Sequence, residues 1–168
     1  MNTYATNRCL AAIALGALLT GATGCGMMEK PSASITGVKL QNVKLTDATM
    51  LFDVKVDNPY TVPLPMSNVD YALSSQGQQF LAGKADVQGT VPAAGSKTLG
   101  VPVRISFLEL INVVKGARPG ATIPYRAEMG LSVDAPVLGR LRVPMSKEGE
   151  LSIPTGRGLL EKAKDLLK

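Results

Sequence analysis

The 168-residue chain is 45% hydrophobic and 18% charged, has no His and two Cys, and carries a formal net charge of +5. This apolar content argues against intrinsic disorder, and the lack of His excludes imidazole-based triads and Cys/His metal sites. The basic residues form no dense run interleaved with aromatics, so we expect no nucleic-acid partner. We also predict no cofactor.

Residues 1–24 predict a signal peptide. A short polar stretch containing Arg8 precedes an apolar run at 10–19, which has the length of a signal hydrophobic region. This run is too short to be a permanent transmembrane helix. Its removal would leave 144 of the 168 residues, the size of one domain, and would take Cys9 with it, so no disulfide is expected.

The sequence Ala-Thr-Gly-Cys ending at Cys25 resembles a bacterial lipobox, with Ala22 where that pattern usually has Leu. The resemblance implies cleavage before Cys25 and attachment of lipid to it. Because Gly26 is not the Asp that retains lipoproteins at the inner membrane, it also implies the periplasmic face of an outer membrane. The alternative is ordinary secretion, since Ala22 and Gly24 also satisfy the small-x-small rule.

Residues 25–34 show no hydrophobic periodicity and predict a short tether. From residue 35 to 154, apolar and polar residues alternate with a period of two, which predicts strands with one buried face. The first strand is predicted over 38–45, with a phase slip at 41–42 that indicates a bulge.

We count seven or eight strands in an antiparallel β-sandwich, a mainly β fold. Turn signals separate them at Asn58-Pro59, 63–65, Gln76-Gly77, Ala94-Gly95, Pro119-Gly120 and Glu148-Gly149.

One segment departs from the strand period and predicts a short helix inserted before the last strands. Ser106 precedes Glu109 by three residues, the spacing of a capping box, and Gly116 provides a stop. The residues that share the apolar face of this helix are Phe107, Leu110, Ile111 and Val114.

Residues 155–168 predict an amphipathic C-terminal helix, with Leu159, Ala163, Leu166 and Leu167 on one side. Two interpretations remain open for it: a helix that docks on the sandwich or frays in solvent, or a second contact with a membrane or partner.

Residues 50–83 followed by 89–103 resemble the late embryogenesis abundant type 2 family, also called the water stress and hypersensitive response (WHy) domain. The hallmark is a strand, then Asn-Pro, a Pro-rich bend, and a strand with Tyr and a Gly turn. The residues that carry it here are Asn58, Pro59, Tyr60, Pro63, Pro65, Tyr71, Gly77 and Gly83. The resemblance implies a fibronectin-III/immunoglobulin-like sandwich with one helix, and protection of proteins or membranes during desiccation and related stress.

No catalytic or metal site is predicted. Asp53 and Asp57 lie four apart on one strand, about 13 Å from each other, and are too distant to share an ion unaided; with Asp70 we interpret them as solvated charges. The leading hypothesis is a non-enzymatic, stress-protective envelope lipoprotein that touches client proteins or lipid headgroups weakly. The alternative is an apolar-ligand carrier or assembly factor that accepts lipid between its sheets or beside 107–114.

Overall fold

The computed structural model describes residues 29–136 and 138–156. The predicted signal peptide, Cys25 and nearly all of the predicted C-terminal helix lie outside these residues. In the described part of the chain there are seven strands and one helix: β1 (Ser32–Gln41), β2 (Asp47–Asp57), β3 (Leu64–Ser75), β4 (Gln78–Val91), β5 (Ser96–Ser106), α1 (Phe107–Val113), β6 (Thr122–Ala135) and β7 (Gly139–Ser152).

The strands form two antiparallel sheets, one with the order β1-β2-β5 and one with the order β4-β3-β6-β7. The predicted sandwich with one helix before the last strands is therefore confirmed. Alternation places the core as expected: Met50, Phe52, Val54 and Val56 are at most 2% exposed, while the residues between them face outward.

The two ends of the sandwich carry different parts of the chain. One end, which we call the tether end, holds residues 29–31, the β2–β3 loop (58–63), the β4–β5 turn (92–95) and the turn between β6 and β7. The opposite end holds the 42–46 loop, the β3–β4 turn and α1. This assignment follows from the antiparallel registers, which fix the direction of every strand.

The first strand differs from the prediction of 38–45. β1 begins at Ser32, inside the segment expected to be a tether, and ends at Gln41. Its irregularity lies between Ile35 and Gly37, and Asn42, with φ +47°, already belongs to the following turn. Ser-rich sequence has little strand propensity of its own, but pairing with β2 as far as Ser32–Asp57 overrides that preference.

Helix α1 follows the predicted N-terminal signal. The Ser106 side chain accepts a hydrogen bond from the Glu109 backbone N–H, which is one half of the predicted capping box. Phe107 and Leu110 are buried. The helix ends before the predicted stop, because Val114 already has an extended backbone, and Gly116, with a left-handed φ of +84°, lies in the turn that follows. The helix packs against β4 and also contacts β2 and β5, so it touches both sheets at the opposite end of the sandwich.

Candidate functional site

Asn58, the first residue of the family hallmark, is only 3% exposed and uses its whole amide. Its Nδ2 donates to the carbonyl oxygens of Val62 and Pro92, both at 2.9 Å, and its Oδ1 accepts from the Tyr60 N–H at 3.0 Å. Because a buried amide must satisfy both its donors and its acceptor, this side chain fixes the shape of the loop around it.

Backbone hydrogen bonds at the same place join two loops. The Asn58 N–H donates to the Gly95 carbonyl at 2.8 Å, and the Ala94 N–H donates to the Tyr60 carbonyl at 2.7 Å. Pro59 has no N–H and cannot continue the β2 ladder, so the chain leaves the sheet there. The Asn-Pro hallmark therefore ties together two of the three connections that cross between the sheets, β2 to β3 and β4 to β5.

Tyr60 is half-buried and packs against the core, but its hydroxyl is buried without a hydrogen-bond partner among the described residues. Such a group lowers stability unless something satisfies it. The ring contributes packing, and the hydroxyl does not contribute a hydrogen bond within the described fold.

The prolines of the hallmark sit where a missing N–H is tolerated. Pro63 is exposed in the loop before β3. Pro65 lies opposite Thr90 of β4, and pairing of β3 with β6 begins only at Met66. Pro65 is thus at the end of its strand, where a proline does least damage to the ladder.

Tyr71 and Gly83 are directly opposite each other on β3 and β4. A Cβ atom on Gly83 would lie 2.6 Å from the Tyr71 hydroxyl oxygen, so the ring occupies the space that the glycine leaves open. Gln76 and Gly77 have φ +49° and +81°, as a tight hairpin turn between these strands requires. These hallmark residues act together as packing and turn elements.

The same packing device occurs in the other half of the sheet and overturns one predicted turn. Glu148 and Gly149 lie inside β7, not between strands. Gly149 faces Tyr125 of β6, and a Cβ on it would lie 2.7 Å from the tyrosine oxygen. Tyr125 is buried, which raises the pKa of its hydroxyl. The sequence signal that could have identified this pair is an inward-facing Tyr on one strand and a Gly in the middle of the next strand.

Two open grooves are found at the ends of the sandwich. The groove at the tether end, of about 410 Å³, is lined by residues 29–30, 57–59 and 94–96 and by Ser32. The groove at the opposite end, of about 580 Å³, is lined by 74–77, 124–126 and 148–150.

Neither groove assembles a recognisable catalyst from the described residues. The Ser75 Oγ is buried without a hydrogen-bond partner, whereas an activated nucleophile needs a base within hydrogen-bond reach. Arg126 is paired with Glu148 at 2.9 Å, and Asp57 with Lys55 at 2.9 Å.

Asp53, Asp57 and Asp70 do not form a cluster, and each lies beside its own basic side chain. Asp53 pairs with Lys39 at 2.9 Å, and Asp70 receives hydrogen bonds from Arg142, which hold the pKa of its carboxyl below the usual value. Within residues 29–136 and 138–156, no three His, Cys, Asp or Glu side chains are placed to hold a metal ion.

Comparison with known proteins shows which family carries this motif. Residues 53–149 match the family described as late embryogenesis abundant protein. The chain belongs to the late embryogenesis abundant type 2 family. It is 34% identical, over 76% of its own length and 84% of the relative's, to a protein named desiccation protectant protein Lea14 homolog from Glycine max.

Solved structures agree with this membership. The solution structure of a putative late embryogenesis abundant protein matches with a TM-score of 0.63 and 27% identity, covering 81% of this chain and 78% of that one. An Arabidopsis thaliana protein matches with a TM-score of 0.62 and 31% identity, covering 76% and 84%. The predicted family and fold are confirmed.

None of the helical structure in the described ranges is both long enough and apolar enough to cross a bilayer.

Proposed function

We propose that this protein is a non-enzymatic stress protectant of the bacterial cell envelope, held by lipid on Cys25 at the periplasmic face of the outer membrane. It protects proteins or membranes while water is being lost. The observation that carries the stress role is the 34% identity to a desiccation protectant. The lipobox-like sequence before Cys25 supports the anchor.

The charge arrangement on the four-stranded sheet supports a role based on weak contacts. Arg126 is paired with both Glu128 and Glu148, and Arg140 with Asp134, and all these groups are well exposed. Exposed pairs of this kind add little to stability, so their partners exchange at low free-energy cost. Such a surface offers charges of both signs, and hydrogen-bond donors and acceptors, to a client that is losing its hydration.

The carrier alternative is not favoured. Side chains from the two sheets fill the space between them, since Phe52, Val54, Leu73 and Leu131 are all fully buried. A lipid placed there would have to displace this core, at a cost comparable to that of emptying a packed interior. The described grooves lie at the ends of the sandwich instead.

Survival of cells tests the proposal directly. A deletion strain is dried or osmotically shocked, and is complemented with the intact protein, with Cys25→Ala, or with Cys9→Ala. We expect the deletion and Cys25→Ala strains to survive less well. The Cys9→Ala control should survive like wild type, because Cys9 lies in the segment that is removed. Normal survival of the deletion strain would refute the stress role.

Drying in the test tube distinguishes the two protective targets. Residues 25–168 without lipid are dried with a labile enzyme in one series and with dye-loaded vesicles in another. Recovered enzyme activity supports protection of proteins, and retained dye supports protection of membranes. Failure in both series would refute direct protection by the domain.

A further inference from the structure

Two large apolar side chains are exposed at the tether end. Val62, in the β2–β3 loop, and Leu138, in the turn between β6 and β7, are each 42% exposed. The two segments are neighbours, because β3 begins just after Val62 and pairs with β6, which pairs with β7. Ala93 and Ala94 of the β4–β5 turn are exposed at the same end.

The backbone that presents Val62 is held in place. The buried Asn58 amide donates to the Val62 carbonyl oxygen at 2.9 Å, and the loop is joined to Ala94 through the Tyr60 carbonyl. These hydrogen bonds hold the loop that carries the exposed Val62. A preorganised loop loses less conformational entropy when it meets a partner.

The start of the described chain lies at this same end. Glu29 and Lys30 line the groove that also contains Asn58 and Gly95. The stretch from Cys25 to Glu29 spans at most about 14 Å when fully extended. Lipid on Cys25 would therefore keep the tether end at a bilayer surface, and this proximity raises the effective concentration of its loops there. Strand β2, with 11 residues, is about 36 Å long, so the opposite end would be held away.

Charge does not oppose this approach. Asp57 is paired with Lys55 at 2.9 Å and Asp134 with Arg140 at 3.2 Å, both pairs near the tether end. Two of the carboxylates at this surface are thus largely neutralised, and the third, Glu29, is followed directly in the chain by Lys30. Anionic headgroups would meet little net negative charge, and the exposed apolar side chains would determine the contact.

We propose that the tether end is a bilayer-contacting surface, with Val62 and Leu138 in the interfacial region of the lipid and α1 directed away into the aqueous compartment. The inference rests on the anchor in the proposed function and adds an orientation to it. It leaves the opposite end, where Leu45 and Leu108 are exposed, free to meet client proteins.

The chain contains no Trp, so one substituted Trp is an unambiguous reporter. Four single variants of the acylated mature protein are compared, Val62→Trp and Leu138→Trp with the matched controls Leu45→Trp and Leu108→Trp. Each is reconstituted in vesicles of phosphatidylethanolamine and phosphatidylglycerol, with or without bromine on the acyl chains. We expect loss of emission in brominated vesicles for the first two variants and unchanged emission for the controls.

Quenching of the controls, or no difference between the two pairs, would overturn the proposed orientation. Attachment of lipid to Cys25 is measured separately, from the mass of the N-terminal peptide. An unmodified Cys25 in cells would refute the anchor alone. The same four variants would then be attached to maleimide-bearing lipid through the Cys25 thiol, and the same quenching comparison would still confirm or overturn the bilayer-contacting surface.

Discussion

Gly130 allows an ion pair to span three strands, and its replacement by Ala is the sharpest test of the fold. Asp70 on β3 and Arg142 on β7 are separated by β6, where Gly130 faces Asp70. The Arg142 Nε lies 3.1 Å from both Asp70 oxygens, and the guanidinium passes over the glycine. A Cβ on Gly130 would lie 2.2 Å from the Arg142 Nε and Cζ atoms, so the guanidinium must move away.

Two opposing effects determine how Gly130→Ala changes the free energy of unfolding. Loss of an ion pair whose side chains are 56% and 31% exposed costs about 0.5 kcal/mol after allowance for solvent screening. Replacing a mid-strand glycine with alanine gains roughly 0.5–1 kcal/mol. Since Arg142 can swing into solvent, we expect little net change in the native background. In an Arg142→Ala background only the gain remains, and the same substitution should stabilise by roughly 0.5–1 kcal/mol.

Urea unfolding of the native protein, the two single variants and the double variant measures this coupling. The pKa of Asp70 is lowered from its usual 3.8, so the pair stabilises the protein above that pH and its contribution is lost as the pH falls through the lowered value. The coupling should therefore be present at neutral pH and vanish in acid. An equal effect of Gly130→Ala in both backgrounds at neutral pH would refute the account.

Three further substitutions test the hallmark residues by urea unfolding. Asn58→Ala should destabilise by about 1–3 kcal/mol, because two loop carbonyls lose their buried donor; a loss within error would contradict its role in joining the loops. Tyr60→Phe should leave stability unchanged or raise it by up to about 1 kcal/mol, since the hydroxyl has no described partner; a clear loss would reveal a partner. Gly83→Ala should cost about 1–3 kcal/mol by displacing the Tyr71 ring. In a Tyr71→Ala background that cost should disappear and leave the gain of roughly 0.5–1 kcal/mol expected at a mid-strand glycine; equal effects in the two backgrounds would exclude the clash.

Some parts of this structure are determined by local sequence. The alternation around Phe52 identifies an amphipathic strand because the side-chain period of a strand is two. Ser106 marks the start of the helix because a capping side chain acts on a neighbouring backbone N–H. Gln76-Gly77 identifies its hairpin for the same local reason. The family pattern was also visible, since its Asn, Pro, Tyr and Gly residues follow one another within residues 58–83.

Other parts depend on residues far apart in the chain. Glu148-Gly149 has the composition of a turn, yet it lies within β7 because Tyr125 occupies the space above the glycine. β1 extends to Ser32 because β2 offers a ladder there.

The sequence by itself determined the strand period, the helix, the family and the candidate anchor residue, since each depends on neighbouring residues or on a contiguous motif. Only the tertiary structure decided that Asn58 joins two loops, that Arg142 reaches Asp70 across Gly130, and that Val62 and Leu138 share the end where the described chain begins. Those arrangements require antiparallel registers between distant strands, and no local pattern encodes a register.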